Sequence, residues 1–178
     1  MSDKIKIMVD CNIFDKLLCL SDDEMRKLIK NFEVSFNKTQ LDEIYKISNE
    51  ERKQKILNLI KTYNLRLKGW FGFAGSGCLG FNSPEANYDS YFFSDKAKKI
   101  LDSVELWLNT QTKKKPKKNK LYPNRADAIF AALAEWCGCI VVTEDGIGKK
   151  KGLIQAIRFN QGKVWSFDDL LKKLHSIN

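Results

Sequence analysis

An almost wholly apolar segment, Cys139-Ile140-Val141-Val142-Thr143, places the strongest constraint on how this chain folds. Its β-branched residues and its lack of polar alternation are typical of a strand buried on both faces, as in parallel sheets covered by helices. A helix is predicted directly before it, from about Arg125 to Cys137, with Gly138 at the helix end. A helix that leads into such a strand indicates an α/β fold.

The rest of the chain alternates in the same way between strand and helix patterns. Further strands are predicted at Ile5–Val9, which ends at Asp10, at Phe32–Phe36 and at Val164–Trp165. Helices are predicted from apolar periodicity or capping patterns at these places: a short helix through Leu20, Ser21-x-x-Glu24 to about Lys30, Thr39-x-x-Asp42, Ser48-x-x-Glu51, Ser94 to Asn109 and Ser166-x-x-Asp169. We therefore predict a three-layer α/β/α sandwich around a mainly parallel central sheet, formed by a single domain of residues 1–178.

Composition argues against several classes of protein. No apolar run reaches the roughly 18 residues that span a bilayer, and the N-terminus lacks the long apolar stretch of a secretory signal. The five cysteines show no C-x-x-C spacing and are expected to be reduced thiols of a cytoplasmic protein. Because His175 is the only histidine in the sequence, neither a zinc site nor a serine–histidine triad is expected. Carboxylates with a bound metal ion are the natural candidates for catalysis.

Positive charge is concentrated in the second half of the chain. The formal net charge is +9, with +1 in residues 1–89 and +8 in residues 90–178. Two short lysine segments account for the whole excess: Lys113, Lys114, Lys115, Lys117, Lys118 and Lys120, and Lys149, Lys150 and Lys151. Such clusters indicate a polyanionic partner, nucleic acid before a membrane surface, with Arg125 as a further candidate contact. The alternative is a solvated loop that has no partner.

Four carboxylates are predicted at strand ends or helix starts. Asp10 follows the first strand and Asp145 lies just beyond Thr143, while Glu43 and Asp127 lie in the first turns of two helices. Ligands of open parallel sheets bind at the carboxyl ends of the strands. If the four converge, their repulsion favours protonation or a divalent cation, and oxygen-only ligands favour Mg²⁺ or Mn²⁺. Taken singly, each also fits an ordinary role as a strand end, a helix-surface charge, a helix-start charge or a turn former.

Asp127 must meet a topological condition to join the other three carboxylates. Its helix leads into the strand that ends at Thr143, and such a helix is expected to start at the opposite end of the sheet. For Asp127 to reach the same edge, this helix must follow a crossover from a preceding strand. The sequence does not locate that strand.

Short motifs that follow one another along the chain resemble those of PIN-domain nucleases. Three of them carry most of the similarity: Ile7-Met8-Val9-Asp10-Cys11-Asn12, Asp127-Ala128-Ile129-Phe130-Ala131-Ala132 and Val141-Val142-Thr143-Glu144-Asp145. The 18-residue gap from Asp127 to Asp145 also fits the family. Leu41-Asp42-Glu43-Ile44 is similar to the remaining acidic motif.

This resemblance implies a metal-dependent phosphodiesterase that acts on RNA. One or two Mg²⁺ or Mn²⁺ ions would be held by the four carboxylates Asp10, Glu43, Asp127 and Asp145. Asn12 and Thr143 would support these groups by hydrogen bonds, and the lysine segments would bind the RNA backbone. The resemblance extends to toxins that pair with an antitoxin or another protein partner, and it leaves a homodimer open. Two alternatives stay open as well: a catalytically silent PIN-like module that binds RNA or protein, and a DNA nuclease with the same site.

The stretch 48–120 departs from the family pattern, and about 66–120 is interpreted as an insertion. Residues 69–93, rich in glycine and aromatic residues, are predicted to form a long connector, a lid or a docking loop. Gly75–Gly80 matches G-x-G-x-x-G, but its flanks predict neither the strand nor the helix that a dinucleotide site needs. The aromatic residues near these segments are candidates either for base stacking or for packing: Trp70, Phe71, Phe73 and Tyr122.

Overall fold

The apolar segments of the chain lie side by side in one sheet. A computed structural model of the protein describes residues 4–68, 95–112 and 124–177. Five strands form the sheet: β1 Ile5–Val9, β2 Phe32–Asn37, β3 Arg66–Lys68, β4 Ile140–Val142 and β5 Val164–Trp165. Their order across the sheet is β3-β2-β1-β4-β5, and every neighbouring pair is parallel. The predicted parallel sheet is therefore confirmed.

Helices cover both faces of this sheet. The described helices are α1 Cys11–Leu17, α2 Asp22–Asn31, α3 Lys38–Tyr45, α4 Glu50–Thr62, α5 Asp95–Thr112, α6 Arg125–Trp136, α7 Leu153–Phe159 and α8 Phe167–Ser176. Helices α5, α6 and α7 pack together in a core that includes Met8 and Val141, on one face of the sheet. The core on the other face includes Ile7 and Val9 and takes side chains from α1 to α4 and α8. This arrangement confirms the three-layer α/β/α prediction.

Two helix starts differ from their predicted positions. The predicted cap of α3 was Thr39, but the structure places Asn37 there, with its Oδ1 accepting hydrogen bonds from the Thr39 and Gln40 amides at 2.8 and 3.2 Å. Asn37 ends β2 in an extended conformation, which is the backbone geometry an N-cap requires. Likewise α4 is capped by Asn49 rather than Ser48, through a 2.9 Å bond from the Arg52 amide. The capping boxes at Ser21 and Ser166 are confirmed.

Two elements were missed from the sequence, and three others were predicted too long, among them α1, which ends at Leu17 rather than at Leu20. β3 consists of Arg66, Leu67 and Lys68 at the edge of the sheet, so it lacks an apolar run. α7 begins after Gly152 without a side-chain cap, so it lacks a start signal. The strand predicted over 139–143 is paired only at Ile140–Val142, and α6 ends one residue earlier than predicted, at Trp136. Cys137 and Cys139 instead form the turn between α6 and β4, and Thr143 belongs to the candidate site.

The stretch interpreted as an insertion contributes to the central architecture. Within it, β3 pairs with β2, and α5 packs along α6. The glycine- and aromatic-rich segment 69–93, the lysine run 113–120 and Tyr122 lie outside the described residues. Along the described parts of the chain, no helix combines the length and apolarity needed to cross a membrane.

The strand order creates a crevice between β1 and β4. From β1 the chain moves outward in one direction to β2 and β3, and it then returns to β4 and β5 on the other side of β1. In open parallel sheets, ligands bind at the carboxyl edge where the strand order reverses in this way. Asp10 and Thr143 directly follow the two strands that flank this point.

Candidate active site

Asp10 lies at the junction of β1 and α1, between the two central strands. Its amide donates to the Val142 carbonyl at 2.9 Å, which continues the pairing of β1 with β4. Its side chain caps α1, because Oδ1 accepts a 2.7 Å hydrogen bond from the Cys11 amide. The strand end and the helix start therefore fix the direction in which this carboxylate points.

Two polar side chains hold the other oxygen of Asp10. The Thr143 hydroxyl donates to Oδ2 at 2.7 Å, and the Asn12 amide Nδ2 donates to the same oxygen at 2.7 Å. Thr143 is completely buried. This geometry fits the supporting roles predicted for Asn12 and Thr143, because both side chains orient a carboxylate.

The same two residues fasten the loop that carries Asp145. Asn12 Oδ1 accepts a hydrogen bond from the Glu144 amide at 3.0 Å, and Thr143 Oγ1 accepts one from the Asp145 amide at 3.1 Å. Asp145 Oδ2 in turn accepts from the Leu153 amide at 2.8 Å, at the start of α7. Asp10 and Asp145 are thus joined through Asn12 and Thr143 in one hydrogen-bonded network.

Glu43 approaches this network from α3 and contacts Cys11. The Cys11 thiol donates a hydrogen bond to the Gln40 carbonyl oxygen at 3.4 Å. Cys11 borders the same cleft as Glu43, and Gln40 lies one helical turn before Glu43 on α3. Burial first, and then Glu43, raise the pKa of this thiol well above its usual range, so it stays protonated. Glu43 itself is exposed.

A cleft of about 380 Å³ opens beside Glu43. It is lined by residues of α1, α3 and α4 and of the turn after α3: Cys11, Asn12, Asp15, Glu43, Ile44, Ile47, Arg52 and Ile56. The polar wall contains a two-pronged ion pair, in which Arg52 Nε and Nη2 donate to the Asp15 carboxylate at 2.8 and 2.6 Å. Nothing in the local sequence pattern predicts this pair, because its two positions are 37 residues apart.

Three carboxylates interact electrostatically at this edge of the sheet. The pKa of Asp10 is raised, chiefly by burial, while the hydrogen bonds from Thr143 and from the Cys11 amide act in the opposite direction. The charges of Glu43 and Asp145 raise it further. The structure therefore brings Asp10, Glu43 and Asp145 into one local field, as expected if the carboxylates converge.

The direction of α6 decides toward which edge of the sheet Asp127 lies. It lies half-buried in the first turn of α6, and only Cys137–Cys139 separate α6 from β4. Because buried residues of α6 pack against Met8 and Val141 of the sheet, so short a link requires α6 to run back over β4. The expectation that this helix starts at the opposite end was wrong, since its first turn lies toward the carboxyl edge. The charges that raise the Asp10 pKa come from Glu43 and Asp145 rather than from Asp127.

The donor chemistry of this site suits a hard divalent cation, since its acidic groups supply oxygen atoms only. Within the described parts of the chain, however, no three side chains of Asp, Glu, Cys or His come close enough, as they lie, to hold one ion together. The residues therefore fit such an ion in kind, but they do not hold one as they lie. Coordination by three of them would require side-chain rotation.

The described basic candidates have two different environments. Arg125 Nη1 donates to Glu105 Oε2 at 2.7 Å, in an ion pair between α6 and α5 that is largely buried. Lys149, Lys150 and Lys151 are exposed in the loop that follows Asp145. Only the second group lies at the surface beside one of the candidate carboxylates.

Close backbone contact shapes the loop that carries these lysines. Gly146 and Gly152 have φ angles of 97° and 120°, and a Cβ built on Gly152 would lie 2.5 Å from the Gly146 Cα. The loop therefore closes on itself at its two glycines. This closure presents Lys149 to Lys151 and brings the Leu153 amide to Asp145.

Replacing Gly152 with Ala should destabilise the protein by about 3 kcal/mol or more, because backbone strain adds to a backbone overlap. Gly138→Ala is the matched control: its φ is also positive, 65°, but a Cβ there meets nothing within 4 Å. This control should cost only about 1–2 kcal/mol. Urea denaturation of the two variants measures the difference. Equal losses would mean that the two glycines are not in contact.

The pH dependence of stability tests the environment of Asp10. Since its pKa is raised in the folded state, its favourable contribution is complete below the unfolded pKa and is lost as pH rises through the folded pKa. In EDTA, the unfolding free energy of wild type minus that of Asp10→Asn should therefore fall as the pH rises above about 4, the ordinary pKa of an aspartate. Asp169→Asn should show the opposite trend, because hydrogen bonds from Ser166 lower the Asp169 pKa. A difference for Asp10→Asn that is independent of pH would contradict this account.

Glu144, in the middle of the last motif, has a structural role that the sequence analysis did not identify. Its Oε1 accepts a 3.0 Å bond from the Phe167 amide at the start of α8, and its Oε2 lies 3.1 Å from Lys16 Nζ. Glu144 thereby connects the loop after β4 to both α8 and α1. The signal in the sequence that could have indicated a role for Glu144 is its position as a second acidic residue directly before Asp145.

Comparisons with known proteins leave the family of this chain open. No protein-family model matches the sequence, and none of the curated proteins is similar to it. Among solved structures, one similar chain comes from the crystal structure of VapBC2 from Rickettsia felis bound to a promoter DNA fragment. The similarity covers 91% of this chain and 98% of that chain, with 16% identity and a TM-score of 0.47. The functional interpretation therefore depends on the chain's own residues.

Proposed function

We propose that the protein is a metal-dependent endoribonuclease of PIN-domain type, which hydrolyses phosphodiester bonds of RNA. One observation carries the proposal: Asp10, held by Asn12 and Thr143 at the β1–β4 crevice, shares its electrostatic field with Glu43 and Asp145. Carboxylates grouped at this position of a parallel sheet favour a divalent cation, because the ion offsets their repulsion.

The proposed ligands of Mg²⁺ or Mn²⁺ are the four carboxylates Asp10, Glu43, Asp127 and Asp145. When bound, such an ion polarises a phosphate and lowers the pKa of a water molecule. The chain's own contribution is orientation: Thr143 and Asn12 fix Asp10, and the Leu153 amide fixes Asp145. Glu43 is exposed on α3 and would rotate toward Asp10 when the ion binds.

RNA is the proposed substrate because positive charge lies next to the acidic site. Lys149, Lys150 and Lys151 are exposed directly after Asp145, in the loop closed by Gly146 and Gly152. Cationic side chains there would bind phosphates that the carboxylates repel. The run from Lys113 to Lys120 precedes α6 in the sequence and adds to the positive charge of this half of the chain.

Cleavage of a mixed pool of single-stranded RNA in Mn²⁺ tests the proposal. Wild type should produce discrete fragments, EDTA should abolish them, and Asp127→Asn should reduce them strongly. Asp23→Asn is the matched control, because Asp23 is exposed in the first turn of α2, away from the site.

Parallel reactions separate this proposal from the alternatives. Cleavage of single-stranded or branched DNA in preference to RNA would indicate a DNA nuclease. Identical products from wild type and Asp127→Asn would instead leave a silent module that binds RNA or protein.

A further inference from the structure

The cleft beside Glu43 combines apolar and polar lining residues. Its apolar part consists of the buried side chains Ile44 and Ile56 together with Ile47, which follows α3 and is only partly buried. Its polar part includes Arg52 on α4 and Asp15 on α1. The volume of about 380 Å³ lies within the range of pockets that bind small organic groups. The cleft is therefore large enough for a flat ring with apolar faces and a polar edge.

The Arg52 side chain in this cleft is held in one orientation. Its backbone amide donates to the Asn49 cap of α4 at 2.9 Å, and its Nε and Nη2 atoms donate to the two Asp15 oxygens at 2.8 and 2.6 Å. Both side chains of the ion pair are nearly half exposed, so solvent reaches the guanidinium. A guanidinium whose edge is fixed by a carboxylate offers a flat surface, and nucleobases stack on such planes.

The charge of the cleft disfavours a phosphate group. Its lining contains two carboxylates, Asp15 and Glu43, and the one guanidinium of Arg52, so their formal net charge is −1. A phosphate would be repelled by this charge, whereas an uncharged base would not. The exposed cations near the site lie instead at Lys149 to Lys151. The two surfaces therefore suit different parts of one polynucleotide, with phosphate at the lysine loop and a base in the cleft.

Asn12 connects the cleft to the candidate active site. It lines the cleft, and its Nδ2 donates to Asp10 Oδ2 at 2.7 Å. Glu43 likewise lines the cleft and acts electrostatically on Asp10. A group bound in the cleft therefore lies next to the carboxylates.

We propose that the cleft between α1, α3 and α4 is a subsite for one unpaired base of the RNA, which stacks on the Arg52 guanidinium and packs against Ile47. The inference rests on the proposed nuclease function, because it places the base beside the phosphate that is cleaved. Stacking tolerates different bases, since every base has a π face. The subsite therefore selects a nucleotide whose base is unpaired and can leave its own stack, rather than one particular base.

Nuclear magnetic resonance titrations of the protein in EDTA test base binding in the absence of cleavage. Adenosine 5′-monophosphate should shift the backbone amide signals of Asn12 and Ile47 and the Nε–H signal of Arg52. Ribose 5-phosphate, which keeps the sugar and the phosphate but lacks the base, should leave these three signals unchanged. Equal shifts with both ligands, or none with adenosine 5′-monophosphate, would overturn the subsite and favour a protein side chain as the occupant.

Arg52→Lys tests the stacking surface, because lysine keeps the positive charge and lacks the flat guanidinium. It should weaken binding of adenosine 5′-monophosphate at least about fivefold, the lower end of the effect of removing a stacking partner. Arg26→Lys is the matched control, because Arg26 pairs with Asp22 on α2 and does not line the cleft. Wild-type affinity in a folded Arg52→Lys protein would overturn the proposal.

Ile47→Ala provides a second variant, which shortens the apolar part of the cleft. It should also weaken binding of adenosine 5′-monophosphate, because less apolar surface then packs against the base. Thermal melts establish which variants are folded, and Ile47→Ala decides the question if Arg52→Lys does not fold. Unchanged affinity in Ile47→Ala would then overturn the subsite.

Cleavage of a defined single-stranded RNA tests the subsite within the reaction. After the wild-type cleavage position is mapped, the base is removed from each flanking nucleotide in turn. One abasic substitution should lower kcat/KM at least about fivefold in wild type and much less in Arg52→Lys. The same decrease in both proteins, or no decrease at any flanking position, would overturn the subsite while the proposed nuclease function stands. Absence of all RNA cleavage would instead contradict the proposed function, and the titrations in EDTA would still decide whether the cleft binds a base.

Discussion

Replacing Asp10 with Asn is expected to reduce Mn²⁺-dependent RNA cleavage by at least about a hundredfold. Removing a residue that only orients a metal ligand typically costs 10–100-fold, so removing the ligand itself should cost at least the upper end of that range. Asp10 is also the residue on which the hydrogen bonds from Thr143, Asn12 and the Cys11 amide converge. Initial rates with a single defined RNA oligonucleotide measure the effect.

The control for this prediction separates chemistry from folding. Asp23→Asn removes one exposed carboxylate on α2 and should keep the wild-type rate. Asp10→Asn should still show a cooperative thermal transition, because β1 and α1 keep their apolar contacts through Ile7, Ile13 and Phe14. A folded Asp10→Asn protein that cleaves at the wild-type rate would remove Asp10 from the catalytic site.

The second large effect is expected from Thr143→Val, which removes a buried hydroxyl with little change of shape. The variant removes one of the two donors of Asp10 Oδ2, leaving only Asn12, and it leaves the Asp145 amide without its acceptor. Cleavage should fall by about 10–100-fold, and the folded state should lose about 1–3 kcal/mol. Because the Thr143 hydrogen bond lowers the Asp10 pKa, the acid limb of the pH–rate profile should also move to higher pH.

Thr143→Ser provides the matched comparison, since it keeps the hydroxyl and removes only a methyl group. Its pH–rate profile should coincide with that of wild type even if its stability is lower. A shift of the acid limb in Thr143→Ser as large as that in Thr143→Val would mean that the hydroxyl does not act through Asp10.

The parts of the fold that were predictable are those whose local sequence carries their burial. The apolar, β-branched residues before Asp10 and Thr143 predict β1 and β4, because strands covered on both faces are rich in such residues. β3 was missed because an edge strand of Arg66, Leu67 and Lys68 needs no apolar pattern, and pairing with β2 alone defines it. The choice between Asn37 and Thr39 as a cap depended on where β2 ends, which propensity does not specify.

The candidate site likewise combines features that the local sequence predicts with features that only the fold shows. The two motifs Asp10-Cys11-Asn12 and Thr143-Glu144-Asp145 are recognisable separately, but Asn12 and Thr143 are 131 residues apart in sequence. Only the pairing of β1 with β4 shows that Asn12 donates to Asp10 and accepts from the Glu144 amide. Arg125 gives a further example, because its ion pair with Glu105 depends on the packing of α6 against α5 and has no signal in the local sequence.

Direct measurement of Mn²⁺ binding tests the central claim that the carboxylates meet around a metal ion. Titration followed by electron paramagnetic resonance of free Mn²⁺ should show binding to wild type that weakens at least about tenfold in Asp10→Asn and in Asp145→Asn. Asp23→Asn should bind like wild type. Equal Mn²⁺ affinity in all four proteins would contradict the account, because the carboxylates at the β1–β4 crevice would then not share an ion.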